Sequence, residues 1–440
     1  MQNYFNELAN FLTAQLKGDE IFTCTFSGED SNFVRFNQNL IRQAGGVAQR
    51  NLSLDLIQGR RHAPGNCTLT GERSQDESRL AQILDELRRK LPHLPDDPHL
   101  LYATQVNSTE QLGENRLIPA TDAVQQILAA GEGQDLVGIY ASGGIFNGFA
   151  NSLGQRNWFS TYSFNFDWSL YHQGDKAVKA AYAGFDWDDK VLRAKMDGAR
   201  NQLAILAQEP KTLAPGQYRV FLSPVAVYDF VGLLGWGGFG LKSHRTKQTP
   251  LLRMIEAGAT LHPALNIREN TAEGVAPNFD GKGFSKPEVV TLIAGGAYRD
   301  CLVSPRSAQE YGVPTNGASP DEAPDSLDIA AGDINADQIL ERLDTGVFIN
   351  NVWYLNYSDQ PACRITGMTR FACFWVEGGK IVAPLNVMRF DETLYRAFGD
   401  NLLGLTVERE IIVDSGSYGG RSSKSGRVPG ALIKDFNFNL

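Results

Sequence analysis

The 440 residues carry 42% hydrophobic and 21% charged side chains, an ordinary globular balance that excludes large-scale disorder and leaves room for two or three cores. The formal net charge of -9 repels polyanions. The basic spots at Arg60-Arg61-His62 and from Lys242 to Lys247 are too small to make a patch, so direct nucleic-acid binding is not expected.

Five cysteines (Cys24, Cys67, Cys301, Cys363 and Cys373) are odd in number and widely spaced, which predicts a reducing compartment rather than a disulfide framework. Glu7 and polar breaks interrupt the first residues, predicting neither leader nor anchor, and no stretch approaches the ~18 apolar residues that span a bilayer. A cytoplasmic location is the expectation. The 44 glycines point to a turn-rich, strand-rich α+β chain.

Tyr4, Phe5, Leu8, Phe11, Leu12 and Leu16 recur at helical spacing and predict an opening helix that stops at Gly18. Short strands are expected at 21–26, 33–37, 47–58 and 66–70, with Gly28, Gly45-Gly46 and Pro64-Gly65 as turns. A helix over 76–90 then meets three prolines between Leu91 and Pro98, which cannot continue it. Residues 1–95 thus read as a first α+β domain.

Residues 113–208 read as a second. A helix at 122–130 follows a Thr121 cap, and a strand at 135–141 enters a Ser142-Gly143-Gly144 turn. Strict alternation predicts a strand over 159–168, with another at 177–185 before a helix at 188–208. Residues 217–440 form a β-rich third domain, with helices at 250–257 and 335–343 and an acidic, solvated loop over 319–333.

The common chemical signatures are missing. Among His62, His93, His99, His172, His244 and His262 no pair has H-E-x-x-H spacing, and His62, His93 and His99 read as exposed loop residues. Neither a G-x-S-x-G elbow nor a local cysteine-nucleophile pattern occurs. Gly235-Trp-Gly237-Gly-Phe-Gly240 satisfies G-x-G-x-x-G after an apolar, strand-like run from Tyr218 to Leu234. The residues after it do not read as the helix that a dinucleotide site requires, and Leu241 spoils the spacing of a phosphate loop. A structural glycine turn is the better reading. Strands at 345–357, 366–375 and 377–384, the last two joined by Glu-Gly-Gly, carry aromatic, Asn and Arg side chains. Those suit either a peptide groove or ordinary sheet faces.

Taken in order, Phe33-Val-Arg-Phe-Asn-Gln-Asn-Leu-Ile-Arg-Gln43, Gly46-Val-Ala, Thr345-Gly, Asn350-Asn351, Gly367-Met-Thr-Arg370, Phe374-Trp-Val-Glu-Gly-Gly-Lys-Ile and Ala383-Pro384 resemble the TldD/PmbA (TldD/TldE) family, long labelled modulators of DNA gyrase. The resemblance implies two small N-terminal α/β-mixed domains and a large β-rich C-terminal one. It also implies two kinds of subunit. The TldD kind binds a catalytic zinc through H-E-x-x-x-H and a C-terminal cysteine; the TldE/PmbA kind lacks those ligands and pairs with the first to form a peptidase that takes unstructured, extended peptides.

Here the ligand positions fall on Gly235, Trp236 and Gly240, and on Tyr418 or a neighbouring Ser within Ser415-Gly-Ser-Tyr-Gly-Gly420. The first three cannot bind zinc. The resemblance therefore implies the zinc-free subunit, with no cofactor, no catalytic residue of its own, and no membrane or nucleic-acid partner. Its expected partners are a TldD-like zinc-bearing subunit and an extended peptide held by Asn351, Tyr354 and Arg370; a homodimer of the isolated chain is compatible with it. The competing readings are a self-sufficient metallopeptidase with an unrecognised metal site and a binding protein that modulates DNA gyrase.

Overall fold

The opening helix forms as its periodicity requires: α1 (Gln2–Gln15) buries Phe5, Leu8, Ala9 and Leu12. The structure is a computed structural model, and it describes residues 1–174, 176–417 and 419–439. It is an α+β fold on two sheets.

In the first sheet, β1 (Ile21–Asn37), β2 (Leu40–Gln58) and β3 (Arg61–Thr68) are long continuous strands. The glycines expected as turns lie inside them. Gly28 faces Arg50 of β2 and Phe146, and a Cβ there would meet the Phe26 ring at 2.8 Å; the position needs a missing side chain, not a bend. The reversal occurs at Gln38 and Asn39, both at positive φ, where the Asn39 side-chain amide donates to the Leu128 carbonyl and its N–H to the Leu136 carbonyl. Asn tolerates the left-handed region, so this is the two-residue turn that long strands favour. His62 lies in β3 rather than in a loop, with Nδ1 3.0 Å from Asp55 and Nε2 3.4 Å from Asp97.

After α2 (Arg73–Lys90), the strands β4 (Glu110–Leu112), β5 (Asp135–Asn151), β6 (Arg156–Tyr171) and β7 (Ala177–Gly184) complete a sheet of order β3-β2-β1-β5-β6-β4, with β7 also on β6. β1 and β5 pair antiparallel from Thr23↔Asn151 to Phe36↔Gly138, so the units at 1–95 and 113–208 share one sheet while keeping separate cores. In one, α1 and α2 cover Phe22, Phe26, Leu52 and Leu56. In the other, α3 (Ala120–Ala130) and α4 (Asp189–Leu206) cover Tyr140, Phe164, Phe166 and Trp168. Helix α3 starts at Ala120, two residues earlier than expected, with Pro119 rather than Thr121 in the cap position and no side-chain cap.

The expected turn at Ser142-Gly143-Gly144 is also mid-strand. Gly143 has φ +148°, and a Cβ would lie on the Asp30 carbonyl oxygen and 2.6 Å from the Ser31 Cα.

The third unit begins with the largest departure. The apolar run from Tyr218 splits into β8 (Gly216–Leu222) and α5 (Pro224–Gly232). Ser223 accepts from the Ala226 N–H and Pro224 occupies the first helical position, a start signal that outweighs the apolar run. The later strands are β9 (Ile267–Asn270), β10 (Val289–Ala294), β11 (Ala297–Tyr298), β12 (Ser326–Ile329), β13 (Gly346–Asp359), β14 (Arg364–Glu377), β15 (Lys380–Pro384), β16 (Arg389–Thr393), β17 (Leu402–Val413) and β18 (Ser425–Phe438).

Their order is β11-β10-β9-β12-β18-β16-β14-β13-β8, and β8 pairs back onto β18. That closes a ring of five strands, with α5 packed into it: Phe230 meets Phe390 of β16 and Phe436 of β18. Gly378 and Gly379 both have positive φ, as the tight β14–β15 hairpin requires. The acidic stretch 319–333 is not a solvated loop. It contains β12, and buried Asp328 accepts from Arg268 at 2.9 Å, Asn270 at 3.2 Å and Arg409 at 3.2 Å.

Replacing Gly143 by Ala forces a left-handed, sterically closed position to carry a Cβ. The expected cost is about 1–3 kcal/mol, read as a loss of several degrees in the thermal midpoint by circular dichroism.

Candidate functional site

Two places matter: the segment following α5, and the seam where the two sheets meet.

Leu233–Gly235 is a short 3-10 turn, and Gly240 is the N-cap of a five-residue helix, Leu241–Arg245. The basic stretch after Gly240 is thus partly helical, contrary to expectation, and the reason is a side chain from elsewhere. Glu322, 3% exposed, accepts the Lys242 N–H at 2.9 Å through one oxygen and the Ser304 N–H at 2.9 Å through the other. One buried carboxylate caps two helix starts (Leu241–Arg245 and Pro305–Tyr311) and fills the position where an anion would sit. Its own backbone is left-handed, at φ +50°, an uncommon state for a glutamate that the surrounding bonds hold in place.

Gly235, Trp236 and Gly240 supply no metal-ligating atom. Gly235 has room: a Cβ added there would find its nearest neighbour, the Ala323 Cβ, 3.8 Å away. Trp236 is 58% exposed. Gly240 has no room, since a Cβ would lie 2.9 Å from both the Cβ and Oε2 of Glu322. An imidazole there would have to displace the carboxylate that organises both helices. The donor set does not fit zinc. Tyr418 lies outside the described residues, and among those described no three His, Cys, Asp or Glu side chains gather as a metal group.

The loop around that position spans the two sheets. The half-buried Arg421 guanidinium donates to the Gly143 carbonyl at 3.1 Å and to Ser163 Oγ at 2.8 Å, and the Arg421 backbone N–H donates to Glu29 at 3.1 Å. Burial lowers its pKa to about 10. Gln49 donates to both Glu29 and the Gly419 carbonyl.

Beside this loop, a cavity of about 520 Å³ opens between β7 and α4 on one side and α5, β13 and the end of β17 on the other. Ser223 fixes the α5 end of it by donating to the Asn350 carbonyl at 2.6 Å. Asn351 lines it, 5% exposed, with an Oδ1 that has no donor among the described residues. Asp229, further along α5, faces the same space; burial pushes its carboxyl up to about 6, with Lys179 opposing. The Asp167 pKa is raised by burial as well, against a hydrogen bond donated by the Asn165 side-chain amide. Tyr228 is pushed up to about 12, by burial first and then by Asp414 and Asp229. Lys195 is paired with Glu410 at 2.9 Å.

Of the residues picked from sequence, then, Asn351 lies in this cavity wall and the others do not. Arg370 sits opposite Asn351 in the β13–β14 ladder, but its guanidinium lies 5.1 Å from the Trp353 ring centre and 5.2 Å from that of Phe371. Tyr354 is 73% exposed and Trp353 52%. Tyr354 and Phe371 have positive φ where the ladder slips register, a bulge that turns these aromatic groups outward. Sequence reasoning missed Asp229. Its one signal was a lone carboxylate in an otherwise apolar run, and that signal is lost when the run is read as a strand.

The family profile described as PmbA/TldA metallopeptidase C-terminal domain matches residues 215–439. No curated protein matches the sequence. The whole chain is similar in fold to the crystal structure of TldE from Thermococcus kodakarensis, with a TM-score of 0.77 at 12% identity, covering 99% of this chain and 100% of that one. It is also similar to two structures described as proposed modulators of DNA gyrase. The one from Thermotoga maritima has a TM-score of 0.75 at 12% identity, covering 99% of each chain; the one from Bacteroides thetaiotaomicron has a TM-score of 0.71 at 15% identity, covering 99% of this chain and 98% of the other.

Glu322→Ala leaves two helix-end N–H groups, Lys242 and the buried Ser304, without their acceptor. At about 1–2 kcal/mol for each lost cap, unfolding in urea is expected to shift by about 2–4 kcal/mol, and Glu322→Gln to recover part of that. Asp229 gives a pH test. Its folded pKa of about 6 exceeds the ordinary value of 3.8, so the native state binds the proton more tightly and loses stability as pH rises through that interval. Asp229→Asn is expected to be more stable than the parent at pH 8, by about 1–3 kcal/mol, and equal to it at pH 4, measured by thermal melts at both values.

Proposed function

Because the chain belongs to the TldD/PmbA family of metallopeptidase-related proteins, we propose that it acts as the zinc-free, TldE-like subunit of a two-subunit peptidase that degrades unstructured peptides. The observation that carries this reading is Glu322. Where the resemblance calls for a ligand at position 240, the chain has a glycine with a carboxylate packed against it, and that carboxylate is committed to two helix starts. A chain organised this way offers no Lewis acid to polarise a peptide carbonyl from that segment. Its contribution is to wall the chamber and hold the partner and the peptide in register.

The contact with the partner is proposed to use the outward bulge of β13 and β14. Trp353, Tyr354 and Arg370 form an exposed aromatic–cation group, a composition enriched at the centres of protein interfaces. Asn351 is proposed to act separately, within the seam cavity. No helix among the described residues is long and apolar enough to cross a membrane.

The test is reconstitution. The chain purified alone is expected to hold well under about one zinc per ten molecules by elemental analysis and to leave unstructured peptides intact. Mixed with a relative bearing H-E-x-x-x-H, it is expected to elute as an equimolar complex that cleaves them and stops with a chelator. Trp353→Ala should weaken that complex at least tenfold, about 1.4 kcal/mol or more. Stoichiometric zinc and chelator-sensitive activity in the isolated chain would reject the reading, as would co-purification with gyrase in place of a peptidase subunit.

A further inference from the structure

The seam cavity has a chemistry of its own, independent of whether the chain serves a zinc-bearing partner. The charged and titratable groups facing it are Asp167 from β6, Lys179 from β7, Lys195 from α4, Tyr228 and Asp229 from α5, Glu410 from β17, and Asp414 and Lys424 from the loop that follows. Lys195 and Glu410 neutralise each other. What remains is three carboxylates (Asp167, Asp229 and Asp414) against two lysines (Lys179 and Lys424), a surplus of acceptors.

Two acceptors in this wall stand out. The half-buried Asp229 carboxylate receives no hydrogen bond from the described residues. Asn351, 5% exposed, has a carbonyl oxygen with no donor among them. Buried acceptors are nearly always satisfied, and leaving them bare is costly. Val178, Ala180, Ala199, Val225 and Ile412 give the wall an aliphatic part, beside the neutral polar groups of Gln202, Ser223, Asn350 and Ser415. At about 520 Å³ the space is of the size that takes a small organic ligand.

The missing complement is a cation with several N–H donors and a short apolar body. An anion would meet the carboxylate surplus. A metal ion would need a cluster of ligands that the described residues do not form. An ammonium group has three donors and no acceptor, and an alkyl or peptide chain behind it would lie along the aliphatic wall.

We propose that the seam cavity binds a primary ammonium group, with Asp229 as its counter-ion, Asn351 as a neutral acceptor, and Lys179 as the internal cation that competes with it for Asp229. Such a group comes from a peptide amino terminus or from a lysine side chain. The site accepts either through the same contacts, and its location on this chain makes it separate from any metal chemistry on another.

Isothermal titration of the full chain at pH 7.5 tests this with two probes: tetra-alanine with a free amino terminus, and Nα-acetyl-lysine N-methylamide. Each has a control in which the amine is acetylated. Saturable binding of tetra-alanine assigns the site to amino termini, and binding of the lysine derivative assigns it to side chains. In either case acetylation should weaken binding at least tenfold. Asp229→Asn should do the same, with its melting behaviour reporting that it is folded. Lys179→Ala, at an exposed position, should tighten binding severalfold by removing the competitor, an effect opposite in sign to any loss of structure. Failure of both amines to bind, or binding indifferent to acetylation and to both substitutions, would overturn the proposal. Neither result depends on zinc or on a partner subunit.

Discussion

The pairing of the last strand with the first strand of the third unit is the constraint from which the rest follows. β18 joins β8, β12, β16 and β17, and the β8 contact closes the ring of strands that receives α5. Once Phe230 is packed between Phe390 and Phe436, the direction of α5 is set. Its start is then held at the seam by Ser223 on the Asn350 carbonyl, and the chain leaving its end is delivered to Glu322. The two candidate sites are thus joined by one nine-residue helix. Each fully buried aromatic in that packing contributes about 1.5–3 kcal/mol, so the geometry of both sites is supported by the core and not by the loops that form them.

Beyond the end of α5, the chain has put a buried carboxylate where the family resemblance calls for a metal. A carboxylate packed against a pair of helix starts is stabilised by two N–H donors and by the partial positive charge of those ends. It needs glycine at position 240 because nothing larger fits. On the seam side the opposite holds. The half-buried Asp229 carboxylate and the buried Asn351 Oδ1 have no donors among the described residues, which is a cost in the free chain and an opportunity for a ligand able to supply donors.

Among the side chains that bridge the seam between the two sheets, Arg421 makes the most bonds at the end of β17. Arg421 reaches from the third unit to the Gly143 carbonyl and Ser163, while its backbone bonds Glu29. This accounts for the unusual backbone at Gly143: a residue with a side chain could not bring β5 so close to β1 and still leave its carbonyl available to the guanidinium. The loop that resembles the family's cysteine segment is therefore part of the joint between the halves of the molecule.

Much of this was legible in the residues. Helices α1, α2 and α4 follow from their 3.6-residue periodicity, β6 from strict alternation, the β14–β15 hairpin from Gly378-Gly379, and the family from motifs in order along the chain. These are local signals, carried by neighbours within a few positions. What the residues alone could not decide is what glycine does when a long-range neighbour sets the requirement. Gly28 and Gly143 read as turns and are strand positions against Phe26 and Asp30; Gly240 reads as a failed phosphate loop and is an N-cap packed on Glu322, from a distant part of the chain. The same holds for Asp229, whose burial depends on a sheet contributed by the other half of the chain. Spacing determined the strongly periodic elements, and the family resemblance located the missing ligands; tertiary packing decided which polar groups lie buried, and which of those were left without a partner, because desolvation depends on every atom that surrounds a group and not on the residues beside it in sequence.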